Sequence, residues 1–192
     1  MKTRISRLCM IAGICLLVAA AVLLGFWQWR ILSSQQKATA YVQTIRALIP
    51  QPQGATLEER QNNTMPVLSI AEKNFAGILE MPRFGSSLPV CADWGEVSKY
   101  PCCLDGSVYD RTMQIGTTSQ AGQYDFYREI TVGDSVFFTD MEGNRFSYEV
   151  TDIRYKKHAD QSTLRQKDAA LTVFIKNMYS FEYIILYCDP LH

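Results

Sequence analysis

Apolar and polar positions along this chain follow three different patterns. Residues 8–29, LCMIAGICLLVAAAVLLGFWQW, carry no charge at all. About 20 consecutive apolar residues suffice for a helix to cross a bilayer, so this run predicts a membrane-spanning helix. Over 32–48 the period becomes helical: Ala38, Tyr41, Val42, Ile45 and Leu48 recur three and four apart, and Pro50 closes the segment. The stretch QPQGATLEERQNNTMP, 51–66, is rich in proline and polar residues and reads as a linker. From about Phe75 the period shortens to two. GILEMP predicts a strand ending at Pro82, and VFFTD and RFSYEVTDI flank the turn MEGN as a hairpin. Phe146, Tyr148 and Val150 alternate, as in a half-buried strand. LTVFI and YIILY form a second hairpin, apolar enough to be buried on both faces. Tyr124, Tyr127 and Ile130 predict one helical turn ahead of Val132-Gly133-Asp134. Many short strands with few helices predict a mainly β chain closed into a barrel, with 75–192 as its domain and 30–74 as helical stalk and linker.

Charge fixes the orientation of the leading helix. Lys2, Arg4 and Arg7 precede the apolar run, and no acid occurs before Glu58. The positive-inside bias keeps 1–7 in the cytoplasm and exports the rest. Trp27 and Trp29 suit the outer interface. The run outlasts a cleavable signal peptide, despite small residues at Ala19-Ala20-Ala21, so an uncleaved single-pass anchor is expected. Across the 192 residues the formal charge is +0, which offers no footprint for nucleic acid. Four cysteines lie beyond the apolar run: Cys91, Cys102, Cys103 and Cys188. Cys91 is within loop reach of Cys102 or Cys103, and spacing leaves that choice open. There is no CxxC, and His158 and His192 lie apart, so neither a zinc site nor any cofactor is expected. Glycine-rich phosphate loops and a GxSxG elbow are also missing.

Three stretches, in order, carry a family resemblance. GILEMPRFGSSLPV (77–90) is similar to the opening strand of the sortases, the membrane-anchored cysteine transpeptidases of Gram-positive cell surfaces. YDFYREITVGDSVFFTDMEGNRFSYEV (124–150) resembles their apolar triplet, Gly-Asp, strand, glycine turn and Tyr-x-Val strand. LTVFIK (171–176) stands where sortases have Leu-Thr-Leu-x-Thr-Cys. The resemblance, nearest to classes B and D, covers roughly 75–188 and implies a closed barrel of about eight strands.

It also implies a catalytic histidine, cysteine and arginine, and here the pattern breaks. The histidine position, after MQIG, falls on Thr117, or on Thr118 with a one-residue shift. The cysteine position falls on Lys176 and the arginine position on Glu182. Lysine cannot form the thioester, threonine is no base near neutral pH, and a carboxylate opposes an oxyanion rather than stabilising it. Loss of the nucleophile alone costs on the order of a million-fold in hydrolases with such a triad. A turn centred on Tyr179 would set Lys176 against Glu182 as an ion pair. The expected function is therefore a surface pseudo-enzyme that binds a cell-surface peptide, or regulates or scaffolds a protein of the sorting machinery. The alternative is a divergent active sortase using Cys188 as nucleophile.

Overall fold

The computed structural model describes residues 2–50, 64–119, 125–158, 169–178 and 180–191; within the first segment the side chains of 2–9, and of several positions from 11 to 35, are not described. The linker 51–63, Tyr124, Tyr179 and His192 therefore lie outside the described residues.

One helix, α1, runs from Lys2–Leu48 without interruption. At 1.5 Å per residue it is roughly 70 Å long, far more than one face of a small barrel can cover. Its two parts have opposite surroundings. In the first, apolar side chains point away from all protein: Leu16 and Leu17 are 72% and 73% exposed. In the second, Ala38, Val42 and Ile45 fall on one stripe and are buried in the barrel's core. Among the described residues no helix is long and apolar enough to cross a membrane. The uncharged run 8–29 includes positions whose side chains are not described.

Nine strands follow among the described residues. They are β1 (Leu68–Ile70), β2 (Lys73–Met81), β3 (Ser86–Cys91), β4 (Cys102–Asp105), β5 (Met113–Thr118), β6 (Ser135–Asp140), β7 (Arg145–Lys156), β8 (Leu171–Lys176) and β9 (Tyr183–Pro190). Their order is β1-β2-β3-β4-β5-β8-β9-β7-β6, and β2 pairs with β6. That last pairing, Gly77 with Asp140 through Glu80 with Phe137, closes eight strands into a barrel and leaves β1 as a short added edge. Closure removes the free edges that would otherwise invite aggregation. The predicted hairpins are β6–β7 and β8–β9, both antiparallel. In the first, buried Asp140 accepts hydrogen bonds from the backbone N–H of Glu142 and Asn144 and from the Tyr109 hydroxyl, and Gly143 takes φ 86°. Asp140 thus makes the turn that MEGN requires.

Two parallel pairings place the functional end. β3 touches β4 at Cys91 and Cys102, and β5 runs beside β8 over its full length. The crossover between β5 and β8 is supplied by β6 and β7. It brings the ends of β5 and β8 to one rim. The expected helical turn before β6 is a tight turn at Asp125–Arg128. Phe126 from it stacks on Phe84 with ring centroids 4.4 Å apart.

Candidate functional site

The β5–β8–β9 wall has two faces, and the ladders say which residues share each. Side chains paired in register lie on the same face, and every second residue returns to it. Leu171, Val173 and Ile175 join the barrel core with Ile184, Leu186 and Cys188. The intervening residues form the outer face as three rows. Gln114, Thr172 and Tyr187 make the first row; Gly116, Phe174 and Ile185 the second; Thr118, Lys176 and Tyr183 the third, at the rim.

This outer face is not a washed surface. Phe174, Ile185 and Tyr187 form a second buried cluster, with Leu104 and Ala169 packed against it. Thr172 is 1% exposed, and its hydroxyl has no hydrogen-bond partner. Trp94, from the turn Trp94–Glu96 after β3, lays its indole over Gly116; a Cβ there would collide with the ring. Only glycine admits that approach. Trp94 remains 43% exposed, so it roofs the middle row from the solvent side. Arg154 stands over the Tyr187 ring at 4.5 Å from its centroid and pairs with Asp152 at 2.7 Å.

At the rim, Lys176 pairs in register with Tyr183 and with Thr118. Its Nζ lies 5.8 Å from the Tyr183 ring centroid, within cation–π range. The structure thus places Thr118, the alternative to Thr117, beside Lys176, while Thr117 is buried next to Ile175. The expected Lys176–Glu182 pairing is not formed: Lys176 faces Tyr183, and Glu182 accepts a hydrogen bond from the Ser180 hydroxyl at 3.3 Å. Glu182 lies one residue before β9, where its carbonyl accepts the Asn177 N–H at 2.7 Å. The connection is held further by Ser119: its N–H donates to the Lys176 carbonyl, and its Oγ accepts from the Met178 N–H. Phe181 sits at φ 57°, unusual for a bulky residue, and tightens the return into β9.

Cys188 lies elsewhere. It pairs with Leu171, at the far end of β8 from Lys176, about 17 Å along the strand. Its thiol is 0% exposed inside the barrel, and burial, with Asp189 beside it, pushes it well above the usual thiol range. Such a thiol is protonated and inert at neutral pH. It does not reach the face that carries Lys176.

The other three cysteines beyond the apolar run gather on β3 and β4. All are free thiols. Cys91 and Cys102 are register neighbours, both fully buried. The Cys102 thiol donates to the Tyr100 carbonyl at 3.4 Å; the contact between the two sulfurs draws Cys91 below the usual thiol value and, with burial, pushes Cys102 above it. Lys73 draws Cys91 down further. Cys103 pairs with Ile115 on β5, and burial pushes its thiol up to about 12.

Of the outer-face groups, sequence reasoning had reached only the rim. Thr172 and Phe174 were available from the same reasoning, since counting back by twos from Lys176 marks both. Trp94 had no such signal, because its position depends on a turn 22 residues before Gly116 in the chain.

No family model matches the chain, and no curated protein does. Solved structures do. Sortase C-3 from Streptococcus pneumoniae aligns with a TM-score of 0.54 at 15% identity, over 84% of this chain and 83% of that one. A Clostridium perfringens sortase D5 transpeptidase aligns at 0.54 and 10% identity, over 83% and 98%. A Clostridium perfringens sortase C, solved with the C-terminal cell wall sorting motif, aligns at 0.54 and 15%, over 82% and 98%. The fold is sortase-like: mainly β, with few helices and eight strands closed into a barrel.

Proposed function

We propose that this protein is a membrane-anchored member of the sortase family, displayed on a Gram-positive cell surface, that holds a peptide without cleaving it. The observation that carries this reading is the rim row Thr118–Lys176–Tyr183. It lies at one end of β5, β8 and β9, at or beside the positions where the resemblance implies histidine (Thr117 or Thr118), cysteine (Lys176) and arginine (Glu182, one residue before Tyr183), and it contains no thiol and no imidazole. The nearest thiol on β8 or β9, Cys188, is sealed in the core. Acyl transfer through a cysteine needs a thiolate that the carbonyl can reach.

The same wall retains what peptide recognition requires. An apolar middle row lies between polar rows, under the Trp94 indole. Extended peptides are gripped by such alternate pockets, and a few placed polar groups set their register. Lys176 supplies a cation at the rim, which favours a peptide carrying a carboxylate there. The ligand is a cell-surface peptide or a segment of a sorting-machinery protein. The exposed apolar part of α1 and the basic residues ahead of it support an anchor whose N-terminus is cytoplasmic and whose barrel is extracellular.

The test is binding of fluorescent sorting-motif peptides, with and without an acidic residue, to the full chain in detergent. Saturable binding that Cys188→Ala leaves unchanged and Lys176→Glu weakens for the acidic peptide supports the reading. Absence of binding, or equal binding by Lys176→Glu, contradicts it.

A further inference from the structure

Between α1 and the barrel lies a cavity of about 710 Å³. Trp29, Lys37 and Tyr41 wall it from the helix, and Lys73, Lys99 and Tyr100 from the barrel. Three lysines therefore line one recess. Lys73 and Lys99 both pair with Glu96, at 2.7 and 3.3 Å. Lys37 has no carboxylate within ion-pair distance among the described residues. The described lining thus holds three lysines and no acidic side chain, so an anion is attracted there.

Its position along α1 says which anion. Trp29 is both the end of the uncharged run and part of the cavity wall. Tryptophan at that place marks the membrane–water interface. Lys37 lies two helical turns further on, about 12 Å along the axis. The polar headgroup layer is roughly 5–8 Å deep on each side of the hydrocarbon core. A lysine side chain easily spans the remainder, so the cavity opens at headgroup level on the side of the bilayer that the barrel faces. The rings of Tyr41 and Tyr100, in edge contact at 5.8 Å, give it an apolar inner wall for the glycerol and first methylenes of a lipid.

We infer that this cavity binds the phosphate-bearing headgroup of an anionic phospholipid, with Lys37, Lys73 and Lys99 as its cationic contacts. The inference rests on the membrane-anchor reading of α1. A bound headgroup would brace the barrel against the bilayer and set the height of the outer face of β5, β8 and β9 above it.

The test uses the full chain reconstituted in nanodiscs of phosphatidylcholine, with phosphatidylglycerol titrated in. The readout is crosslinking to a photoreactive phosphatidylglycerol analogue, located by peptide mass spectrometry. Saturable labelling of α1 around Lys37 and of the barrel around Lys73 is expected. Lys37→Gln should weaken it about fivefold, the contribution of one lysine at a membrane surface, and Lys37→Arg should retain it. Lys37 is exposed, so neither variant disturbs the core. Integrated protein with labelling that does not saturate, or that is unchanged in Lys37→Gln, overturns the headgroup site alone. Competition by inorganic phosphate at concentrations comparable to the lipid assigns the site to free phosphate and overturns the lipid. Failure of the chain to integrate, seen as release from vesicles by alkaline carbonate, overturns the anchor and the inference together.

Discussion

Replacing Thr172 with valine probes the outer face without touching the rim. The hydroxyl is buried and has no hydrogen-bond partner. A buried polar group left without a partner costs about 1–3 kcal/mol. Valine keeps the β-branched shape and places a methyl where the hydroxyl was, so strand propensity is unchanged. Thr172→Val should therefore stabilise the empty protein by about 1–3 kcal/mol. For a chain of this size each kcal/mol moves the midpoint by about 2–4 °C, so thermal unfolding followed by circular dichroism should shift upward by roughly 2–12 °C. Guanidinium unfolding should show a higher midpoint with an unchanged slope. The same variant should weaken peptide binding, because the hydroxyl is the polar group that a ligand would satisfy. An unsatisfied buried hydroxyl calls for an explanation, and a bound ligand supplies one. Destabilisation by 1 kcal/mol or more, or tighter peptide binding, would refute this reasoning.

Three further outcomes are expected. Oxidised glutathione should convert Cys91 and Cys102 to a disulfide, two thiols losing two protons and two electrons while the oxidant leaves as reduced thiol. Adjacent strands lie about 4.8 Å apart, inside the Cα range that a disulfide spans. Intact mass should fall by two hydrogens, and a Cys91–Cys103 crosslink would contradict the register pairing. Ile45→Ala should cost about 2–5 kcal/mol, because Ile45 is fully buried against the barrel; a cost below 1 kcal/mol in denaturant unfolding would mean that α1 is not part of the domain. Burial raises the Asp134 carboxyl, but the Thr131 N–H and then Arg83 outweigh it and hold it below the usual carboxylate value. A depressed pKa stabilises the fold above the unfolded value, about 3.9, and the benefit is lost as pH falls through the folded value. The stability gap between wild type and Asp134→Asn should be full above about pH 5 and close below about pH 4; a gap that widens in acid would reverse the sign.

The strands were legible because their period is short and local. VFFTD and RFSYEV announce β6 and β7 by alternation, and Asp140 with Gly143 announces their turn. The continuous apolar runs of β8 and β9 announced burial on both faces, and residues 171–175 and 184–188 are indeed buried throughout. Register was not legible. A turn centred on one residue sets Lys176 against Glu182, whereas the hairpin sets it against Tyr183. A shift of one residue moves a side chain to the other face, so the expected ion pair gave way to a cation–π contact. The choice between Thr117 and Thr118 had the same origin, and the parallel ladder with β8 puts Thr118 beside Lys176. The packing of α1 was half legible. Its stripe was visible as Ala38, Val42 and Ile45, but a stripe does not name what covers it. Trp94 over Gly116 and Lys37 near Lys73 are long-range juxtapositions that only the closed barrel creates.

Incubation of the full chain with sorting-motif peptides, followed by intact-mass and peptide analysis, tests the central claim most directly. The account predicts intact peptide, no acyl adduct on the protein, and no difference between wild type and Cys188→Ala. Cleavage or a thioester-linked adduct that disappears in Cys188→Ala would contradict it.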